Sequence, residues 1–200
     1  MNMRGVISFD LDGVLANFIR GYMRVGNQLF GTPVGNVSNQ QSWVFEEFPE
    51  LELTKHRCEE IWKHVWADPN FWANLDPLDV SVMPDINSIR NKVFVTNRAG
   101  INPAQQSELF LTKWGVYYPS VHLAADKVPI MKQLNVVATV DDYVVNCREL
   151  KTAIPSMYVA MLWTPYNEVY HTEMMALGVD IVLSVEQFIE KINGRGLVEN

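Results

Sequence analysis

Two carboxylates one residue apart, Asp10 and Asp12, follow directly on the apolar run GVISF and are followed by Gly13. A buried strand rarely ends in two carboxylates unless a metal or hydrogen-bond donors meet them. Such a pair supplies a nucleophile and an acid/base. The plainer alternative is a helix N-cap, with Asp10 or Asp12 capping a helix that starts near Val14. A second polar group, Thr96-Asn97-Arg98, ends the run KVFV. Its hydroxyl could donate to a phosphate oxygen beside backbone N–H groups, or it could be an ordinary turn. Lys127, after Ala125-Asp126, could neutralise a phosphate, although a lone Lys is more often a solvated surface charge. Asp141-Asp142 follows VVATV. Adjacent like charges at the end of a buried strand repel, and a bound cation relieves the repulsion.

The elements that must position these groups are legible as short apolar runs. Gly5–Phe9, Lys92–Thr96, Ser120–Ala124, Val136–Val140 and Ser156–Leu162 read as buried strands, with a weaker one at Asp180–Leu183. Helices fit between them. Asn102-Pro103-Ala104-Gln105 predicts a capped helix start, with the helix running to Trp114 and Gly115 just past it. Ser184-Val185-Glu186-Gln187 opens a last helix that Gly194 closes. Strands alternating with helices predict an α/β fold, a mostly parallel, Rossmann-like sheet with helices on both faces. In a parallel sheet the C-terminal strand ends share one edge. The four polar features therefore have the means to converge there, as a nucleophile, an acid/base, phosphate donors and hard oxygen ligands for Mg²⁺.

Roughly eighty residues between the first strand and KVFVT carry no convincing strand. They are rich in Trp, Phe and Glu and look helical around Thr54–Ala67. We expect a core domain of residues 1–16 and 80–200, with residues 17–79 forming a small helical cap over the ligand-binding edge.

Bulk properties narrow the function. The chain has 200 residues, 48% of them hydrophobic, enough to bury a core. Its net charge of −7 and lack of a Lys/Arg-rich block disfavour a stable nucleic-acid complex. Two cysteines, far apart, indicate neither a disulfide framework nor a zinc site. No apolar run reaches membrane-spanning length and no targeting segment is evident, so a cytoplasmic protein is expected.

The ordered set resembles the four motifs of the haloacid dehalogenase (HAD) superfamily. DLDGVLANF is similar to the D-x-D-G-V-L-A-D/N-F form of motif I, FVTN to motif II, Lys127 to motif III and TVDDYVVN to the acidic motif IV. The insertion resembles a C1-type cap. Within the superfamily the chain resembles the 5′(3′)-deoxyribonucleotidases. Phe18, Trp43 in SWVFEEF and Trp66 in WADPNFWANLDPL match positions that line the nucleoside pocket of that family, although cap packing would also account for the two tryptophans. The resemblance implies a Mg²⁺-dependent phosphatase for nucleoside monophosphates, with a small-molecule nucleotide as partner and dimerisation common among its members. It implies Asp10 as nucleophile and Asp12 as acid/base, kept neutral in a dry pocket. Thr96, Asn97 and Lys127 would hold phosphate. Asp10, the Asp12 main-chain carbonyl and Asp142 would hold the metal, with Asp141 supporting from behind or through water. Asn97-Arg98 stands where the family often has Ser-Pro, Ala125 replaces a basic residue, and DDYV replaces DDRP or DDNP. These departures bear on how the sugar and outer phosphate oxygens are held. Other expectations are a phosphatase for a different small metabolite or a nucleic-acid phosphate end, or a non-catalytic nucleotide-binding module.

Overall fold

The computed structural model describes residues 5–31 and 53–198. Trp43 lies outside the described residues. Six parallel strands form one sheet in the order β3-β2-β1-β4-β5-β6. They are β1 (Val6–Phe9), β2 (Lys92–Thr96), β3 (Val121–Leu123), β4 (Val136–Asp141), β5 (Tyr158–Leu162) and β6 (Asp180–Val182). All six predicted strands are present, including the weak one, which forms an edge of the sheet. From β1 the chain builds outward to β3, then returns to add β4 on the opposite side of β1. The junction of β1 and β4 is thus the point where strand order reverses, and crevices for ligands open there, at the carboxyl ends of the strands.

Alternation along the strands sorts residues onto the two faces. Phe94, Ala160 and Leu162 share one core with α8 (Val185–Gly194), α3 (Met83–Ser88) and α4 (Pro103–Lys113). Val93, Val95, Val159 and Met161 share the other with α5 (Val128–Gln133), α6 (Val144–Ala153) and α7 (His171–Ala176). Phe9, fully buried on β1, meets Phe188 of α8 edge-on at 5.6 Å and Phe94 at 6.0 Å. Burying side chains of this size contributes about 2–3 kcal/mol each, so the centre of the sheet is its most firmly packed part.

The first helix departs from expectation. It is α1 (Phe18–Phe30), it starts four residues later than predicted from Val14, and its cap is Asn17, whose side chain accepts from Arg20 N–H at 3.2 Å. The intervening residues form a tight turn instead. The Leu11 carbonyl accepts from the amides of Leu15 at 2.8 Å and Ala16 at 2.7 Å. Neither Asp10 nor Asp12 caps a helix, so both carboxylates are left to the site. Asn102 also differs: its backbone is left-handed (φ 47°) and its side chain makes no cap bond to α4. Thr54 and Ser184 do cap α2 (Lys55–Ala67) and α8, accepting from Arg57 and Gln187.

The chain leaves and re-enters the sheet through paired stems. Asn17 N–H donates to Asp76 at 2.8 Å and Leu78 N–H to Leu15 at 2.9 Å. Beyond them α1 packs on α2, and a 3₁₀ turn at Trp72–Asn74 packs on α4. At Gly100 the loop after β2 touches the end of α2 so closely that a Cβ would meet the Trp66 backbone at 2.6 Å.

Candidate active site

Each polar group singled out at a strand end arrives at one rim. Asp10 follows β1, its amide bonded to the Val140 carbonyl of β4 at 3.1 Å. Thr96 ends β2, Asp141 ends β4 with Asp142 next to it, and Lys127 stands at the start of α5. Asp10, Asp12, Thr96, Asn97, Lys127 and Asp142 line one cavity of about 380 Å³, in the size range of small-molecule pockets. Trp62, Trp72 and Phe18 line it too, together with Tyr143, Asn146 and Ala125. A larger cavity of about 870 Å³, which Phe18 also lines, is bounded by Leu78, Trp163, Leu183 and Glu186. It contains neither Asp10 nor Lys127, and the chemistry belongs to the smaller one.

Lys127 is buried between two carboxylates, 2.8 Å from Asp10 Oδ1 and 2.7 Å from Asp141 Oδ2. Burial alone would disfavour its charge, but Asp10 and Asp141 outweigh that and hold the ammonium above the usual lysine range. It is not the solvated surface charge that a lone Lys usually is. Burial pushes the Asp10 carboxyl up to about 7, against the attraction of Lys127 and with added repulsion from Asp141 and Asp12. Asp142 is pushed well above the carboxylate range, first by burial and then by Asp141 and Asp10, with the Tyr166 hydrogen bond opposing.

Such crowding is what a hard cation relieves. Oxygens of Asp10, Asp141 and Asp142 lie within 4.8 Å of one another. The donor set separates them by role. Both Asp141 oxygens are already engaged: Oδ1 by the Tyr143 amide at 2.9 Å, Oδ2 by Lys127, and both by Asn146 at 3.2 and 3.0 Å. Asp142 Oδ2 accepts from the Tyr166 hydroxyl, while Asp142 Oδ1 is buried with no hydrogen-bond partner. A buried oxygen without a donor, next to the Asp10 carboxylate, suits a divalent ion. The Asp142 main chain is fixed as well, its carbonyl accepting from Asn167 Nδ2 at 2.9 Å. Gly13, at φ 82°, completes the fit, since a Cβ there would collide with the Asp142 carboxylate.

Asp12 has a different neighbour from the apolar one expected. Arg98 forks onto it, Nε to Oδ2 at 2.9 Å and Nη2 to Oδ1 at 2.7 Å. Thr96 Oγ1 stands 3.5 Å from Asp12 Oδ2.

The aromatic wall is a stack. Phe18 stacks with Trp62 at 5.5 Å and with Trp72 at 5.7 Å, both nearly parallel to it. Trp66 stacks on the outer side of Trp62 at 5.7 Å, is 46% exposed and is not part of the cavity lining. Sequence reading missed Trp62, Trp72 and Tyr166, and named Arg98 only as part of the polar stretch after β2 without giving it a role. Trp62 lies one helical turn before Trp66 on the same face, and Tyr166 follows the C-terminal end of β5. The helix period would have pointed to the first and the shared strand edge to the second. Nothing comparable distinguishes Arg98 from a solvated arginine.

A family model described as 5′ nucleotidase, deoxy (pyrimidine), cytosolic type C protein matches residues 4–186. No curated protein matches the chain. Among solved structures, a HAD family hydrolase from Deinococcus radiodurans with bound phosphate and sodium is similar at TM-score 0.62 and 11% identity, covering 96% of each chain. A haloacid dehalogenase-like hydrolase from Burkholderia xenovorans is similar at 0.58 and 12%, covering 94% of this chain and 98% of that one. The L-2-haloacid dehalogenase of Xanthobacter autotrophicus is similar at 0.55 and 9%, covering 96% and 99%. These likenesses show the HAD fold.

Proposed function

The chain belongs to the family of cytosolic type C, deoxy (pyrimidine) 5′ nucleotidases, a phosphoric monoester hydrolase family, and from that premise we propose that it hydrolyses deoxyribonucleoside monophosphates with Mg²⁺ through an aspartyl-phosphate on Asp10. The observation that carries the reading is the position of Asp10. Its carboxylate lines the cavity beside Lys127, Thr96 and Asp142, where a phosphoryl group meets a nucleophile and its neutralising groups together. The phosphate found in the Deinococcus relative supports the reading.

Asp10, Asp142 and the Asp12 main-chain carbonyl would hold the metal, which when bound supplies positive charge for the phosphoryl oxygens. Lys127, Thr96 and Asn97 receive the other oxygens. Asp10 attacks phosphorus in line, and the bond to the leaving ribose oxygen breaks. Asp12 gives that oxygen a proton, then takes one from the water that hydrolyses the intermediate. Positioning and charge do most of the work in such transfers. Trp62, partly exposed where it lines the cavity, offers aromatic surface to the base, with the nearly buried Phe18 and Trp72 shaping the wall beside it. A stacked base is worth about 1–3 kcal/mol. Crowding by the rings near the 2′ position favours a deoxyribose. Asp141 braces Lys127 from behind. A cytoplasmic setting fits the family description, and no described helix is long and apolar enough to cross a membrane.

A phosphate-release panel of deoxy- and ribonucleoside monophosphates, sugar phosphates and a 5′-phosphorylated oligonucleotide tests this. Turnover of deoxynucleotides that disappears on chelation and returns with Mg²⁺ is expected. Turnover of sugar phosphates without nucleotides would replace the substrate assignment.

A further inference from the structure

Arg98 is a charged side chain in the core of the molecule, and the family reading gives it no task. It is 4% exposed, with its side chain fully shielded. A buried guanidinium persists only where its donors are met. Here Nε and Nη2 fork onto both oxygens of Asp12, and Nη1 donates to Ser107 Oγ at 2.9 Å. Ser107 in turn donates to the Pro103 carbonyl at 2.7 Å, which leaves its lone pairs for Arg98. The guanidinium is also held by aromatic faces, Trp72 at 4.8 Å and Phe110 at 5.8 Å. Trp72 is itself anchored, its indole N–H donating to the Ala99 carbonyl and its amide to Gln106, each at 2.9 Å. Arg98 therefore cannot move without disturbing α4, the loop after β2 and the return from the cap.

We propose that Arg98 is a positioning residue for Asp12, fixing the plane of its carboxylate so that the edge not covered by the guanidinium faces the leaving oxygen. The inference rests on the acid/base reading of Asp12. A carboxylate has about four lone-pair sites, and a side-on fork uses two, one on each oxygen. The remaining pair lies outside the fork, with Thr96 Oγ1 3.5 Å from Oδ2, and Asp12 itself lines the cavity. A forked guanidinium fixes a plane, which a point-charge ammonium cannot do. The Arg98 guanidinium bonds to Asp12 and Ser107 and not to Asp10 or Lys127, so its effect should fall first on proton delivery.

Leaving-group dependence of kcat/KM reads this directly, because kcat/KM covers only the steps through departure of the alcohol. A nucleoside monophosphate releases an alkoxide that needs a proton, whereas p-nitrophenyl phosphate releases a phenolate that does not. Arg98→Met should lower kcat/KM on the nucleotide by about 100-fold, the cost of a misplaced catalytic group, and on the aryl ester by less than about 5-fold. Arg98→Lys keeps the buried cation but not the fork. It should recover part of the loss, and it carries the test if Arg98→Met does not fold. Asp12→Asn is the reference and should show the same selectivity, more strongly. Equal losses on both esters for the Arg98 variants, or no loss, overturn the inference while Asp12→Asn remains selective. If Asp12→Asn shows no selectivity, the acid/base reading of Asp12 fails and the inference with it. If nucleotides prove not to be substrates, an alkyl phosphate that the wild type does cleave takes their place, so the substrate assignment and the role of Arg98 are judged separately.

Discussion

At the scale of single residues, Asp142 is a buried carboxylate whose charge its surroundings oppose. Burial and two nearby carboxylates oppose its charge, and Tyr166 is the side-chain donor that favours it. Tyr166 engages Oδ2, and Oδ1, which has no hydrogen-bond partner, is the oxygen our proposed metal site would use. Groups that orient a metal ligand in this way typically contribute about 10–100-fold in affinity. Tyr166→Phe should therefore raise the Mg²⁺ concentration needed for half of the metal-induced Tm increase by about 10-fold. An unchanged midpoint would mean that Asp142 is oriented by its backbone alone, through Asn167 and the close approach of Gly13.

At the scale of elements, β5 presents the loop that carries Tyr166 and Asn167, and β6 closes the sheet beside it. Asp180 pins this edge. Its Oδ2 accepts from Tyr158 of β5 and Lys191 of α8, both at 2.8 Å. Burial pushes the Asp180 carboxyl up, but Lys191 and Tyr158 outweigh it and hold it below the usual value of 3.8. A folded-state value below the unfolded one adds stability that is present above the unfolded value and is lost as pH falls through the folded one. Wild type should thus lose more Tm than Asp180→Asn between about pH 5 and about pH 3. Parallel losses would remove Asp180 from the acid response. The elements themselves were legible because each strand is a short apolar run bounded by polar residues, down to the edge strand at Asp180. The start of α1 was not, since apolar spacing cannot reveal that the Leu11 carbonyl ties Leu15 and Ala16 into a turn. The strand-end rule led to Asp10, Asp12, Thr96, Lys127 and the Asp141-Asp142 pair. It could not rank Trp62 against Trp66, because two rings a turn apart share a face and only packing shows which one reaches the cavity. Arg98 was illegible for a related reason: its burial depends on Trp72 and Phe110, which are distant in sequence.

At the scale of the molecule, an acidic chain places two buried cations, Lys127 and Arg98, against a cluster of four carboxylates at the point where strand order reverses. Lys127 links Asp10 to Asp141, and Arg98 links Asp12 to Trp72 of the 3₁₀ turn. Sheet, 3₁₀ turn and charge thus meet where Asp10 lines the cavity. The central claim is that this carboxylate becomes phosphorylated. The direct measurement is to quench the enzyme in acid during turnover of a deoxynucleotide, reduce with borohydride, which converts an acyl phosphate to an alcohol, and map the modified peptide. Reduction at Asp10, absent without substrate, is the expected result. Continued turnover with Asp10 unmodified and the label on another residue, or on none, would contradict the account.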